Sequence, residues 1–211
     1  MTTPNLTIYE HKGFPNPERI RIAFAEKGLL DSVQFRQVDV LKGEHRTDEF
    51  LGKNPSGLVP ILELEDGTVI SECSAIIDYV DHLTGERELT GKTPQERGVI
   101  GMMQRRVESG LLEAVGTYFH VATDGLGPDL ERVHNKEWGN MQRERALATM
   151  HYLDDVLKSQ AYIAGDRFTD ADITAIAGLK FAAFAKIDIP ANLTALKEWY
   201  DRVQKRPSLN N

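Results

Sequence analysis

Four short stretches of this chain carry residue types suited to holding an anionic, peptide-like molecule, and one histidine stands where it could accept a proton. Val59 precedes Pro60 at the head of a β-prone run. An X–Pro bond adopts cis at modest cost, and proline brings no N–H. In cis it would turn the Val59 main chain outward to pair with an extended ligand as an added strand. An ordinary trans proline at a strand start fits the spacing equally well. Glu72 and Cys73 stand where a strand passes into a helix. The unpartnered N–H groups of a helix start suit a ligand carboxylate, and an acid beside them suits an ammonium. Glu72 also fits plain first-turn helix charge. Cys73 fits a small buried hydrophobe whose main-chain N–H is a better donor than its thiol. His45 and Arg46, with Lys53 as a weaker third candidate, could neutralise a second carboxylate, although solvated loop charges look the same. Asn16 before Pro17 reads as the cap and first residue of another helix, a second place that favours an anion. His120 shares a helix face with Gly116 and Thr117, four and three residues before it. An imidazole suits proton transfer near neutrality.

These residues need elements to position them. Leu6-Thr7-Ile8-Tyr9 is β-prone, and Val33 to Val38 alternates with period two. Between them, Ile20, Ala23, Phe24 and Lys27 fall at helical spacing, with Gly28 as the stop. A strand–helix–strand unit implies parallel strands. A short helix near 48–53 comes next. Leu58–Leu64 and Thr68–Ser71 then flank Glu65-Asp66-Gly67, and Asp-Gly signals a hairpin. From Ser74 to Leu83 the helical spacing returns. The order βαβαββα is thioredoxin-like. Residues 86–93 are polar and turn-rich and read as a linker between domains at 1–85 and 94–211. The second domain is all helical, with breaks at Gly125-Leu126-Gly127-Pro128, Gly165-Asp166 and Ile189-Pro190. Thr169 to Asp172 reads as a capping box that starts a helix. Arg105 and Arg106, beside Met102 and Met103, fit either a subunit interface or a solvated face.

Composition narrows the function classes. The 211 residues carry 25 Lys+Arg against 32 Asp+Glu, a net charge of −7, which argues against broad nucleic-acid binding. Cys73 is the single cysteine, so no intrachain disulfide or multi-cysteine metal cluster can form. No apolar run approaches the roughly 20 residues of a membrane span, and Met1 to Asn5 lacks a signal-peptide pattern. A reduced cytoplasmic setting is the expectation.

The chain resembles the soluble glutathione transferases along nearly its whole length. The resemblance is carried by Ile20 to Gly28, Gly43-Glu44-His45-Arg46, Asn54 to Pro60, Ser71 to Ile76 and Phe168 to Ile173. Leu89 to Pro94, Tyr118-Phe119-His120, Gly125 to Pro128 and Asn135 to Gly139 bring it nearest to the second yeast-type group. The resemblance implies a cis Val59–Pro60 bond beside the peptide. It implies that Glu72 and Cys73 grip the γ-glutamyl end of glutathione, and that one of His45 and Arg46 meets the glycyl carboxylate. An apolar electrophile would lie near Phe14, Gly116 and Tyr118. It also implies a homodimer in detoxification, with glutathione as co-substrate and no metal, other cofactor, nucleic acid or membrane.

One feature departs from the common family pattern. An ordinary thiol, with a pKa of about 8.5, is only about 3% ionised at pH 7, and lowering that pKa by two units needs about 3 kcal/mol. Most members supply a Tyr, Ser or Cys for this; here Phe14 stands at that position and cannot donate a hydrogen bond. In the yeast-type group a helix-borne His and Ser pair is thought to do it instead. His120 matches the His, but Gly116 stands where the Ser would be, leaving Thr117 as the nearest hydroxyl. Asn16 adds a helix start. The expected activity is conjugation of the glutathione thiolate to small hydrophobic electrophiles. The alternative is a non-catalytic binder of glutathione or hydrophobes; a glutathione-dependent reductase would want a Cys at Phe14.

Overall fold

The computed structural model describes residues 5–210, so the leader expectation for Met1 to Asn5 falls almost wholly outside the described residues. The chain divides into two compact units, Met1–Leu89 and Thr90–Asn211.

The first unit is a four-stranded sheet with helices. Strand β1 (Leu6–Glu10) runs parallel to β2 (Val33–Gln37) and antiparallel to β3 (Ile61–Glu63), which pairs with β4 (Val69–Ser71). The sheet order is β2-β1-β3-β4. Leu6 and Ile8 alternate with Thr7 and Tyr9 and are buried, as period two demands. Helices α1 (Pro15–Glu26), α2 (Asp48–Lys53) and α3 (Cys73–Leu83) complete the unit. Ile20, Ala23 and Phe24 of α1 and Ile76, Ile77 and Val80 of α3 are fully buried, forming core stripes at helical spacing. The hairpin turns as Asp-Gly predicts: Gly67 takes φ 84°, and Asp66 Oδ1 accepts from the Thr68 N–H at 2.9 Å.

Three boundaries differ from the sequence reading by two residues or more. Helix α1 begins at Pro15 with Phe14 as its cap, not at Pro17 with Asn16. The Glu18 N–H bonds the Phe14 carbonyl at 3.1 Å, so Asn16 is already inside the first turn. Strand β3 begins at Ile61 rather than Leu58, because the Leu58 carbonyl accepts from Asn54 Nδ2 at 2.8 Å and is committed to a turn. The first unit also runs on to Leu89: the buried Asp81 carboxylate, paired with Lys27 at 2.9 Å, accepts from the Glu88 and Leu89 N–H groups.

The second unit is helical: α4 (Pro94–Val107), α5 (Glu113–Ala122), α6 (Lys136–Leu157), α7 (Asp170–Phe184) and α8 (Thr194–Val203). A π-helical turn, Glu108–Leu112, joins α4 to α5. There, Gly110 has no room for a Cβ, which would lie 2.5 Å from Thr149 Oγ1 of α6. The start of α7 is the predicted capping box. Asp172 accepts from the Thr169 N–H and hydroxyl at 2.9 and 3.0 Å, and also from the Ile163 N–H and Trp199 Nε1. Burial still pushes this fully enclosed carboxyl up to about 6. Among the described residues no helix is long and apolar enough to cross a membrane.

Candidate functional site

In the first unit the registers bring Pro60 and Glu72 to one end of the sheet. Tyr9 pairs with Ile61, and Ile61 with Ser71. Pro60 and Glu72 therefore each lie one residue beyond the Ile61–Ser71 pair, at the end where β1 leads towards α1. The Val59–Pro60 bond is cis.

Glu72 caps α3 at φ 69°, the left-handed region that residues with a Cβ avoid, and its side chain is exposed. Holding a non-glycine residue there costs about 1–3 kcal/mol, and such outliers gather at ligand sites. Behind it Cys73 is buried, and its thiol donates to the Asn16 carbonyl at 3.5 Å, tying the starts of α1 and α3 together. Its side chain packs, as expected of a small hydrophobe.

His45 sits in a 3₁₀ turn (Glu44–Arg46) and is buried, whereas Arg46 is exposed. Gly57, at φ 62°, passes so close to the His45 carbonyl that a Cβ would come within 3.2 Å; a side chain there would push this turn from the 54–60 segment. Burial pushes the His45 imidazole below the usual histidine range, with the Arg46 and His11 charges adding to it. His45 Nδ1 has no hydrogen-bond partner among the described residues. The sequence reading treated both residues as basic, but burial leaves His45 as a neutral donor and puts the cation on Arg46.

Lys53 is already engaged by a carboxylate of its own unit. Its ammonium pairs with Glu63 at 2.8 and 3.0 Å, and Tyr9 donates to the same carboxylate at 2.6 Å. The Lys53 bond and then the Tyr9 bond hold Glu63 below the ordinary carboxylate range, while Glu63 raises Lys53. The Tyr9 hydroxyl is thereby engaged within the sheet. Asn16 also offers less than the sequence suggested. Positions 15 and 17 are proline, so Asn16 supplies the single N–H of the first three helical residues. Phe14 packs its ring against His11, centroids 4.2 Å apart.

In the second unit, Gly116 and His120 share a face of α5, but Tyr118, two residues from each, points about 200° around the helix from both. A Cβ at Gly116 would meet Phe181 of α7 at 3.4 Å, ordinary contact. The Thr117 hydroxyl donates to the Glu113 carbonyl at 2.9 Å, so its proton is engaged within its own helix. His120 makes an unforeseen contact: its Nδ1 lies 2.7 Å from Glu131 Oε1. No spacing rule links residues eleven apart across a loop. Phe119, Phe181 and Phe184 form an aromatic cluster with centroids 5.4–6.5 Å apart, and Phe184 is 70% exposed. The i, i+3 pair Phe181 and Phe184 was the sequence signal for it.

The model of the glutathione S-transferase N-terminal domain matches residues 15–83, and that of the C-terminal domain matches residues 117–207. The chain belongs to the glutathione S-transferase family. This transferase is 55% identical over 204 residues to glutathione S-transferase 2 of Saccharomyces cerevisiae, covering 97% of the chain and 88% of the relative. The crystal structure of the Saccharomyces cerevisiae Gtt2 superposes with a TM-score of 0.95, covering 97% of this chain and 98% of that one. A glutathione S-transferase domain-containing protein from Marinobacter aquaeolei matches with a TM-score of 0.95 and 57% identity, covering 96% and 99%. The likeness to the yeast-type group thus spans the transferase as a whole.

Proposed function

We propose that this transferase joins glutathione, through its thiolate sulfur, to small apolar electrophiles. Glu72 takes the ligand's α-ammonium, and the main-chain N–H of Cys73 its γ-glutamyl carboxylate. The Val59 main chain pairs with the cysteinyl residue beside Pro60, and Arg46, with His45 as a neutral donor, meets the glycyl carboxylate. The observation that carries this reading is the exposed, left-handed Glu72 beside the Val59–Pro60 edge in a chain of this family.

The thiol proton passes to His120, directly or through a water, and the Asn16 N–H and the α1 dipole add up to about 2 kcal/mol towards the anion. The sulfur electron pair then forms the C–S bond while the electrophile's leaving group departs, or its double bond takes up the displaced pair. Aromatic electrophiles suit the Phe119, Phe181 and Phe184 rings. Phe14, Gly116 and Tyr118 complete the roster of acceptor-side residues, with Tyr118 the least supported because it lies on another face of α5. Glutathione is the co-substrate, without metal or prosthetic group. The working form is a cytoplasmic homodimer engaged in detoxification.

The test is a glutathione titration read by thiolate absorbance, paired with conjugation of an aryl halide. Tight binding with no thiolate and no conjugate would favour the second reading, a non-catalytic glutathione binder. That reading draws on Phe14 at the activating position and on the Tyr9 hydroxyl engaged by Glu63.

A further inference from the structure

We propose that Glu131 is a positioning residue for His120, fixing the imidazole with its proton on Nδ1 and its Nε2 lone pair available to accept. The inference rests on the reading of His120 as the base. A carboxylate has no proton to give, so the 2.7 Å contact between Glu131 Oε1 and His120 Nδ1 requires the hydrogen on the ring. A neutral imidazole carries one N–H, so Nε2 is left as the acceptor. The Glu131 side chain is 9% exposed and the His120 side chain 43%, so water competes little for the carboxylate while the ring keeps an open side. The edge of a neighbouring aromatic, Phe119 at 5.1 Å, further limits the ring.

The glycine-rich loop after α5 places that carboxylate there. The Thr123 hydroxyl donates to the Phe119 carbonyl at 2.6 Å and accepts from the Gly125 N–H at 3.1 Å, turning the chain as the helix ends. The Leu126 N–H donates to the same Glu131 Oε1 at 2.8 Å, and the Glu131 N–H bonds the Gly127 carbonyl at 3.0 Å. Gly125, at φ 51°, cannot carry a side chain without moving Glu131, because a Cβ would lie 2.2 Å from Oε1. Gly125-Leu126-Gly127-Pro128 is therefore a clamp on a carboxylate, and the carboxylate is a clamp on the base. When His120 takes the thiol proton on Nε2, the imidazolium keeps its Nδ1–H on Glu131, and the new positive charge faces a negative one.

The experiment uses the full chain with Glu131→Gln, Glu131→Leu, Gly125→Ala and His120→Phe, each checked for folding by circular dichroism. Aryl halide conjugation gives kcat and the glutathione KM, and side-chain ¹⁵N spectra of the histidines report which ring nitrogen carries the proton. Glu131→Leu is expected to lower kcat about tenfold or more, with KM within about twofold. It should also move the neutral His120 proton away from Nδ1. Gly125→Ala keeps the carboxylate but displaces it, and should reproduce both effects. Glu131→Gln, which keeps an acceptor oxygen, should restore the tautomer and part of the rate. In the His120→Phe background, adding Glu131→Leu should cost nothing further. The proposal is overturned if Glu131→Leu leaves kcat and the ring spectrum unchanged, or if it lowers kcat equally with His120 absent. If His120→Phe retains full turnover while Glu131→Leu still shifts the ring proton, the base reading fails and the hold of Glu131 on the ring stands.

Discussion

A carboxylate at a helix start and one across a sheet do different things in this chain, and single substitutions separate them. Glu72 is exposed, stands in the left-handed region and caps α3, and it is the proposed partner of the ligand ammonium. Hydrogen bonds to charged groups contribute about 1.5–3 kcal/mol, so Glu72→Ala should weaken glutathione binding about tenfold or more by calorimetry, with unchanged thermal unfolding. Lys53 is the contrast. Its charge is spent on Glu63 at 2.8 Å, so Lys53→Ala should leave the glutathione dissociation constant within about twofold and cost at most about 1 kcal/mol of stability. For the proposed base, His120→Phe should lower kcat more than tenfold while the glutathione KM hardly moves. If the Asn16 N–H supplies most of the thiolate stabilisation instead, Asn16→Pro will raise the bound thiol's apparent pKa more than His120→Phe does. Thiolate absorbance against pH in both variants decides between them.

At the scale of elements, the start of α7 carries the sharpest pH signature. Asp172 gathers four donors from three segments of the helical unit, yet its burial raises the carboxyl to about 6 from an ordinary 3.8. The folded state then holds this proton more tightly than the unfolded chain does. Its contribution to stability is full below about 4 and is lost as pH rises through about 6. Asp172→Asn cannot titrate, so the melting temperature of the wild type relative to that variant should fall between pH 4 and pH 6.5. Asp172→Ala strands buried donors as well, and should cost at least about 2 kcal/mol at any pH.

Assembly belongs to the scale of the whole molecule. Val99 and Met102 stand one helical turn apart on α4 and are exposed, while Met103 is buried in the core. Arg105 is engaged by Glu108 and Glu113 of its own chain, and Arg106 by the Tyr152 hydroxyl at 2.8 Å. If the transferase pairs as proposed, the apolar pair rather than the arginine pair is the part of α4 expected to meet the second copy. Light scattering should give about twice the 23.7 kDa chain mass, and Met102→Glu should return it to the monomer at micromolar concentration.

The sequence by itself determined the order of elements and most of the residues proposed to hold the ligand. Period-two alternation, helical stripes, Asp-Gly at the hairpin and the Thr169–Asp172 box are local signals, because each arises from backbone sterics within a few residues. Val59-Pro60 and Glu72-Cys73 were legible for the same reason: each sits at the junction of a strand with a turn or a helix. Tertiary structure alone decided which charges remain available. Lys53 and Glu63 are ten residues apart in sequence but meet across the fold, and His45 is buried while Arg46 beside it is not. Glu131 reaches His120 only because Gly125 leaves no side chain in its way. Such pairings depend on where a loop returns in space, and no periodicity in the sequence encodes that return.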